Sequence, residues 1–186
     1  KGLADHLQVL AQAKGLIVGI EIAENLPPAL MGEPTRIRQV MINLISNAVK
    51  YTLVGEVRLM VSHRPVSGGV LHEIAFRVAD TGPGMTAEET RHAFDIYGRT
   101  VDARRRGVQG VGLGLAIVRQ LTDAMGGELR ISSAPGRGSS FTLALRLPLS
   151  DPASLRIEDS NGVLPRGLRV LVVDDHPVNR LVARGY

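Results

Sequence analysis

TRIRQVMINLISNAVKYT, residues 35–52, decides the fold because it carries two patterns on one helix. Ile37, Val40, Met41, Leu44, Ile45 and Ala48 recur at intervals of three and four, which is one apolar stripe of a 3.6-residue helix. Asn43, Asn47 and Lys50 recur at i, i+4 and i+7, so these polar side chains share another face. Tyr51 and Thr52 close the run.

Downstream, Gly55, Arg64-Pro65 and Gly68-Gly69 punctuate two alternating runs, Glu56 to Ser62 and Leu71 to Ala79, which predict an antiparallel hairpin with a longer loop. Upstream, Leu16 to Ile22 is β-branched and predicts a strand ended by Pro27-Pro28. Asp5 to Ala13 has helical spacing, stopped by Lys14-Gly15 where a C-cap glycine belongs. After the hairpin come a glycine loop, Asp80-Thr81-Gly82-Pro83-Gly84-Met85, and a short helix through about Phe94, opened by a capping box of Thr86 with Glu89. Residues 96–112 lose periodicity around an arginine run and predict a loop over a site. Gly112-Leu113-Gly114 leads into a helix from Leu115 to Ala124, with Ile117, Val118, Leu121 and Met125 facing inward. Strands follow at Glu128 to Ser133 and Ser140 to Leu147, joined by a turn at residues 135–138.

Composition narrows the function classes. At 186 residues the chain has room for one ordinary domain plus flanking pieces. Hydrophobic residues at 44% with 3% aromatics call for a core of Leu, Val, Ile and Ala. No apolar run approaches the roughly 20 residues needed to span a bilayer, which argues against membrane contact by this segment. With no Cys there is no disulfide framework and no thiolate metal site. The charge of +4 is dispersed apart from Arg104, Arg105 and Arg106, and stacking aromatics are scarce, which argues against nucleic-acid binding and suits a polyphosphate ligand. Two glycine-rich loops, one carrying Asp80 and the other opening a helix, also suggest an anion, since glycine permits close backbone approach and helix N-termini offer free N–H groups. Neither loop has the Gly-Lys-Ser/Thr ending of a Walker A motif, and Gly110-Val111-Gly112-Leu113-Gly114 lacks Rossmann spacing.

The order of the segments is more specific than any one of them. NLISNAVKYT (43–52), DTGPGM (80–85), Phe94, GVGLGL (110–115) and GRGSSF (136–141) together resemble the N, G1, F, G2 and G3 boxes of sensor histidine kinases, over roughly residues 14–148. The resemblance implies an α/β fold of the Bergerat type, a two-layer sandwich whose mixed, mainly antiparallel sheet is covered by helices on one face. It divides the chain into 1–13, the end of a preceding dimerisation and phosphoacceptor helix; 14–149, the ATP-binding catalytic domain; 150–166, a linker; and 167–186, the truncated start of a receiver domain, where Asp174-Asp175 ends an apolar strand.

By the same resemblance the cofactors are ATP and Mg2+, and Asn47, whose amide oxygen is a hard ligand, is the metal residue. Asn43 and Lys50 are the catalytic pair placed for the phosphates, and Tyr51 lies near the nucleoside. Asp80 accepts a hydrogen bond from the adenine amino group, Gly82 and Gly84 let the base approach the backbone, and Met85 and Ser139 complete the pocket. Gly110, Gly112, Leu113, Gly114 and Leu115 cradle the phosphates, with Arg99 or one of residues 104–106 reaching the γ-phosphate. Related ATPases of the fold carry a Glu four residues before the metal-binding Asn; here that position is Asn43, which cannot accept a proton, so kinase is favoured over ATPase. The implied reaction is γ-phosphoryl transfer from ATP to a histidine on a separate helical domain within a hybrid phosphorelay. His6 is expected at the surface of the preceding helix rather than as the acceptor, so this chain alone should bind nucleotide without an acceptor. His63, His72 and His92 are expected to be structural or exposed, without metal-ligand spacing. The implied partners are the phosphoacceptor domain and a receiver domain, in a homodimeric parent that is cytoplasmic here and open to anchoring in the inner membrane.

Overall fold

The computed structural model describes residues 2–66, 68, 70–95 and 114–150. Its elements run α1 (Gly2–Gln12), β1 (Ile17–Ile22), α2 (Pro34–Tyr51), β2 (Glu56–Val66), β3 (Leu71–Asp80), α3 (Ala87–Arg91), α4 (Gly114–Ala124), β4 (Glu128–Ser133) and β5 (Ser139–Pro148). The arginine run, the expected linker beyond Ser150 and the expected receiver start lie outside the described residues.

The sheet order is β1-β2-β3-β5-β4. Only β1 pairs parallel, with β2; the other pairings are antiparallel, so the sheet is mixed as expected. Pleating sends alternate side chains to opposite faces. Val57 and Leu59 of β2, Ile74 and Val78 of β3, and Phe141, Leu143 and Leu145 of β5 are buried. Against them pack Val40, Met41, Leu44, Ile45 and Ala48 of α2, Val118 of α4 and Leu7 and Ala11 of α1. The other face carries paired charges: Arg64 grips Glu73 across the β2–β3 register at 2.7 and 2.9 Å, and Arg130 grips Glu128 at 2.6 and 2.7 Å. The Arg64 guanidinium holds the Glu73 carboxyl below its ordinary pKa.

Two departures from expectation, at His6 and at the end of β2, have physical causes. The helix at residues 2–12, expected as the end of a preceding helix, contributes Leu7 and Ala11 at 0% exposure to this core. His6 on that helix is half-buried, and its Nε2 is enclosed without a partner among the described residues. Strand β2 runs four residues past Ser62 through Pro65, because β1 has ended at the Ile22–Val61 pair and β2 is an edge there, where a proline is tolerated. That extension brings His63 against His72, rings stacked at 5.1 Å with Nε2 of His63 2.8 Å from Nδ1 of His72.

Helix α2 starts at Pro34, whose preset φ and missing N–H suit a first helical position, while Glu33 pairs with Arg36 at 2.9 Å. It stops at Thr52, which is fully buried and returns both its backbone N–H and its hydroxyl to Ala48 O, at 3.1 and 2.7 Å. Because Leu44 is 1% exposed at the centre of the stripe, Leu44→Ala should lower unfolding stability by about 2–5 kcal/mol in urea denaturation.

Candidate functional site

The site is built where the C-terminal turn of α2 meets the ends of β3 and β5. Asp80 closes β3 directly opposite Ser139, the first residue of β5. Its Oδ1 accepts the Gly82 N–H at 2.9 Å and the Ser139 N–H at 3.3 Å. Oδ2 has no partner among the described residues. Burial pushes the Asp80 pKa above its ordinary value, and the two backbone N–H groups partly hold it back. The carboxylate is thus fixed through one oxygen, leaving the other available to a ligand.

Neighbouring contacts explain why this loop keeps its shape. Thr81 ties it to the start of β2, its N–H donating to Glu56 O at 3.1 Å and its Oγ1 accepting the Glu56 N–H at 2.9 Å. Gly84, at φ +68°, lies so close to Ala134 that a Cβ would collide with the Ala134 carbonyl oxygen, and at Gly138, φ +78°, a Cβ would collide with Asp80 O. Glycine at these two positions is therefore required by the packing of two loops on each other, a demand additional to the expected approach of a base. Ser133 bridges the same loops: its Oγ accepts the Met85 N–H at 2.8 Å, donates to Gly138 O at 3.0 Å and lies 2.9 Å from Ser139 Oγ.

These elements enclose a cavity of about 510 Å³, within the range of small-molecule sites. Asn47 and Tyr51 of α2 line it, with Asp80, Gly84 and Met85 from the loop after β3. Ser139 and Leu115 complete the expected set. Asn43, Lys50, Gly82 and Gly114 do not line it, although Gly114 stands beside the asparagines: a Cβ there would be 3.7 Å from Asn43 Oδ1 and 3.8 Å from Asn47 Nδ2. Asn43 Nδ2 donates to Gln39 O at 3.1 Å, and the Lys50 ammonium is 5.4 Å from the centre of the Tyr51 ring. Arg99, Gly110, Gly112 and Leu113 lie outside the described residues.

Sequence reasoning missed one whole wall. Thr86, Glu88, Glu89 and His92, around the short helix α3, line the cavity, as does Phe141 of β5. The capping box, with the Thr86 hydroxyl accepting the Glu89 N–H at 3.1 Å, was legible, but the direction the short helix faces was not. His92 Nδ1 sits 2.8 Å from Asp95 Oδ2. Among the described residues no group of three or more His, Asp or Glu side chains could hold a metal ion, so a cation here would depend on the amide of Asn47 and on its ligand's own oxygens.

The family described as "Histidine kinase-, DNA gyrase B-, and HSP90-like ATPase" matches residues 32–150. "Aerobic respiration control sensor protein ArcB" of Escherichia coli (strain K12) is 37% identical over 176 residues, 94% of this chain and 22% of the relative. "Sensor protein GacS" of Pseudomonas syringae pv. syringae is 34% identical over 183 residues, 96% of this chain and 20% of the relative. The chain thus spans about a fifth of these relatives' length. Among solved structures, full-length ShkA in complex with AMPPNP superposes with a TM-score of 0.66 at 32% identity, over 81% of this chain and 30% of that one.

Two substitutions test the geometry by itself. A buried carboxyl with a raised pKa favours the folded state below its unfolded pKa, and that contribution is lost as pH rises through the folded pKa. Asp80→Asn should therefore be as stable as the parent or more so at pH 7 in urea denaturation, with the advantage shrinking as the pH is lowered from the raised folded pKa toward the ordinary Asp value and gone below it. Gly84→Ala should lose at least about 1–2 kcal/mol, from the left-handed backbone and from the Ala134 collision.

Proposed function

Because the chain belongs to the histidine kinase-, DNA gyrase B- and HSP90-like ATPase family, we propose that it is the nucleotide-binding part of a histidine kinase, binding Mg-ATP so that the γ-phosphoryl passes to a histidine on a separate helical domain. The observation that carries this reading is the Asp80 carboxylate, held by Gly82 and Ser139 through Oδ1 in the wall of a cavity that also contains Asn47 and Tyr51. A carboxylate only accepts hydrogen bonds, so it favours adenine, whose exocyclic amino group donates, over guanine, whose carbonyl at the equivalent position does not. Glu88 and Glu89 add negative charge to that wall, which suits the base end of the ligand rather than its phosphates.

The phosphates then extend toward the α4 N-terminus, where Gly114 adjoins Asn43 and Asn47 and unpaired backbone N–H groups favour anions. Asn47 supplies an amide oxygen to Mg2+, whose remaining ligands are phosphate oxygens and water, and the ion supplies charge neutralisation for phosphoryl transfer. Asn43 and Lys50 orient the phosphates, Tyr51 packs near the nucleoside, and Met85, Leu115 and Ser139 shape the cavity. The family resemblance would assign Gly110, Gly112 and Leu113 to the phosphate cradle and Arg99 or one of residues 104–106 to the γ-phosphate. Asn43 stands where a hydrolase of this fold needs a proton acceptor, and its amide is engaged with Gln39 O, which favours transfer to a protein acceptor over hydrolysis. The partners are the dimerisation and phosphoacceptor domain of a homodimeric parent and a receiver domain beginning in residues 167–186, in a hybrid phosphorelay on the cytoplasmic side.

Calorimetric titration with a non-hydrolysable ATP analogue, with and without Mg2+ and against the GTP analogue, tests the reading. Binding should prefer adenine and strengthen with Mg2+. Asp80→Asn should weaken it at least about tenfold, or ~1.4 kcal/mol, and Asn47→Ala should remove the Mg2+ dependence. An absence of binding in a folded sample would sink the proposal. Labelled-phosphate transfer to an added acceptor domain, against phosphate release without one, separates kinase from ATPase.

A further inference from the structure

Lys14, in the α1–β1 turn, reaches the binding helix with its side chain. Helix α1 ends with Gly15 at φ +67°, and the N–H groups of Lys14 and Leu16 both return to Ala11 O at 3.0 Å. This tight ending turns Lys14 toward α2, and its Nζ donates to Val49 O at 2.8 Å and to Lys50 O at 2.9 Å. Those carbonyls belong to the last turn of α2, where no further turn of helix exists to bond them and where the helix dipole is negative, so a cation is favoured twice over. The next residue is Tyr51, in the cavity wall, and its carbonyl oxygen is 3.3 Å from where a Cβ on Gly82 would stand. Gly82 in turn supplies the N–H that fixes Asp80 Oδ1. At its other end α1 also meets α2, with a Cβ on Gly2 lying 3.2 Å from Arg38 Nη1.

We propose that Lys14 is a positioning residue for the nucleotide site, an ammonium latch that couples helix α1 to the last turn of α2 and through it to Tyr51 and the Asp80 loop. The inference rests on the nucleotide-binding reading above. It makes the latch reciprocal: if the placement of α1 affects nucleotide affinity, nucleotide must by linkage affect the placement of α1 to the same degree in free energy. A residue that merely supports the fold would change stability without this exchange.

The test uses the full 186-residue chain with AMPPNP and Mg2+ as the probe. In the parent protein, nucleotide should slow amide hydrogen exchange in residues 2–12. Lys14→Met should weaken AMPPNP binding about three- to tenfold at a temperature where it is fully folded by circular dichroism, and should abolish the response of α1. Lys14→Arg, which keeps a cation on a long stem, should restore both. If Lys14→Met binds as tightly as the parent, or if exchange in α1 of the parent ignores nucleotide, Lys14 is a structural cap and the proposal falls. Should the folded parent bind no AMPPNP at all, the functional reading fails first and takes this inference with it; normal binding with an unresponsive α1 overturns the latch alone.

Discussion

Everything in this domain depends on α2 serving two masters. Its stripe of Val40, Met41, Leu44, Ile45 and Ala48 is buried against the sheet and α4, and burial of that kind, at about 25 cal/mol per Å² of apolar surface, is what holds the two layers together. The same rigid turn spacing sets Asn47 and Tyr51 at the edge of the core, facing a cavity. A helix rotated by one residue would carry Asn43 and Asn47 into the core positions of Leu44 and Ala48. The apolar stripe therefore orients the polar line, and binding geometry is a by-product of packing.

The second constraint opposes stability. Asp80 is drawn into a partly buried position that raises its pKa, and only two backbone N–H groups offset the desolvation. A neutral acceptor at Oδ1 would serve the same two backbone N–H groups without the charge, so the carboxylate suits the proposed recognition of an amino donor. Around it the chain spends glycines at Gly84 and Gly138, where two loops approach closer than any side chain allows, and uses Ser133 to stitch Met85 to Gly138. The floor of the cavity is thus made by backbone-to-backbone contact between the two loops.

Much of this was legible beforehand, for a stated reason. The 3.6-residue stripe of α2 and the period-2 runs of β2 and β3 are local consequences of pleat and helix geometry, and glycine loops and the capping box announce themselves by composition. What was misread involves contacts distant in sequence. His6 looked like a surface residue, whereas the burial of Leu7 and Ala11 beside it in this core leaves it half-buried. The extension of β2 through Pro65 depends on where β1 stops, and the His63–His72 stack depends on that extension. The α3 wall of the cavity was missed because a helix of five residues has too few positions to display a stripe.

By itself, then, the sequence determined the element types, the family boxes and the candidate ligand class, since each follows from spacing along the chain or from side-chain chemistry, and the resemblance carried by the boxes implied the mixed α/β class. Tertiary structure alone decided that Asp80 meets Ser139, that Gly114 stands beside Asn43 and Asn47, and that Lys14 reaches the carbonyls of Val49 and Lys50. Those pairs lie between 35 and 71 residues apart, and no local pattern encodes them; they come from strand register and from the packing of α1 and α4 beside α2.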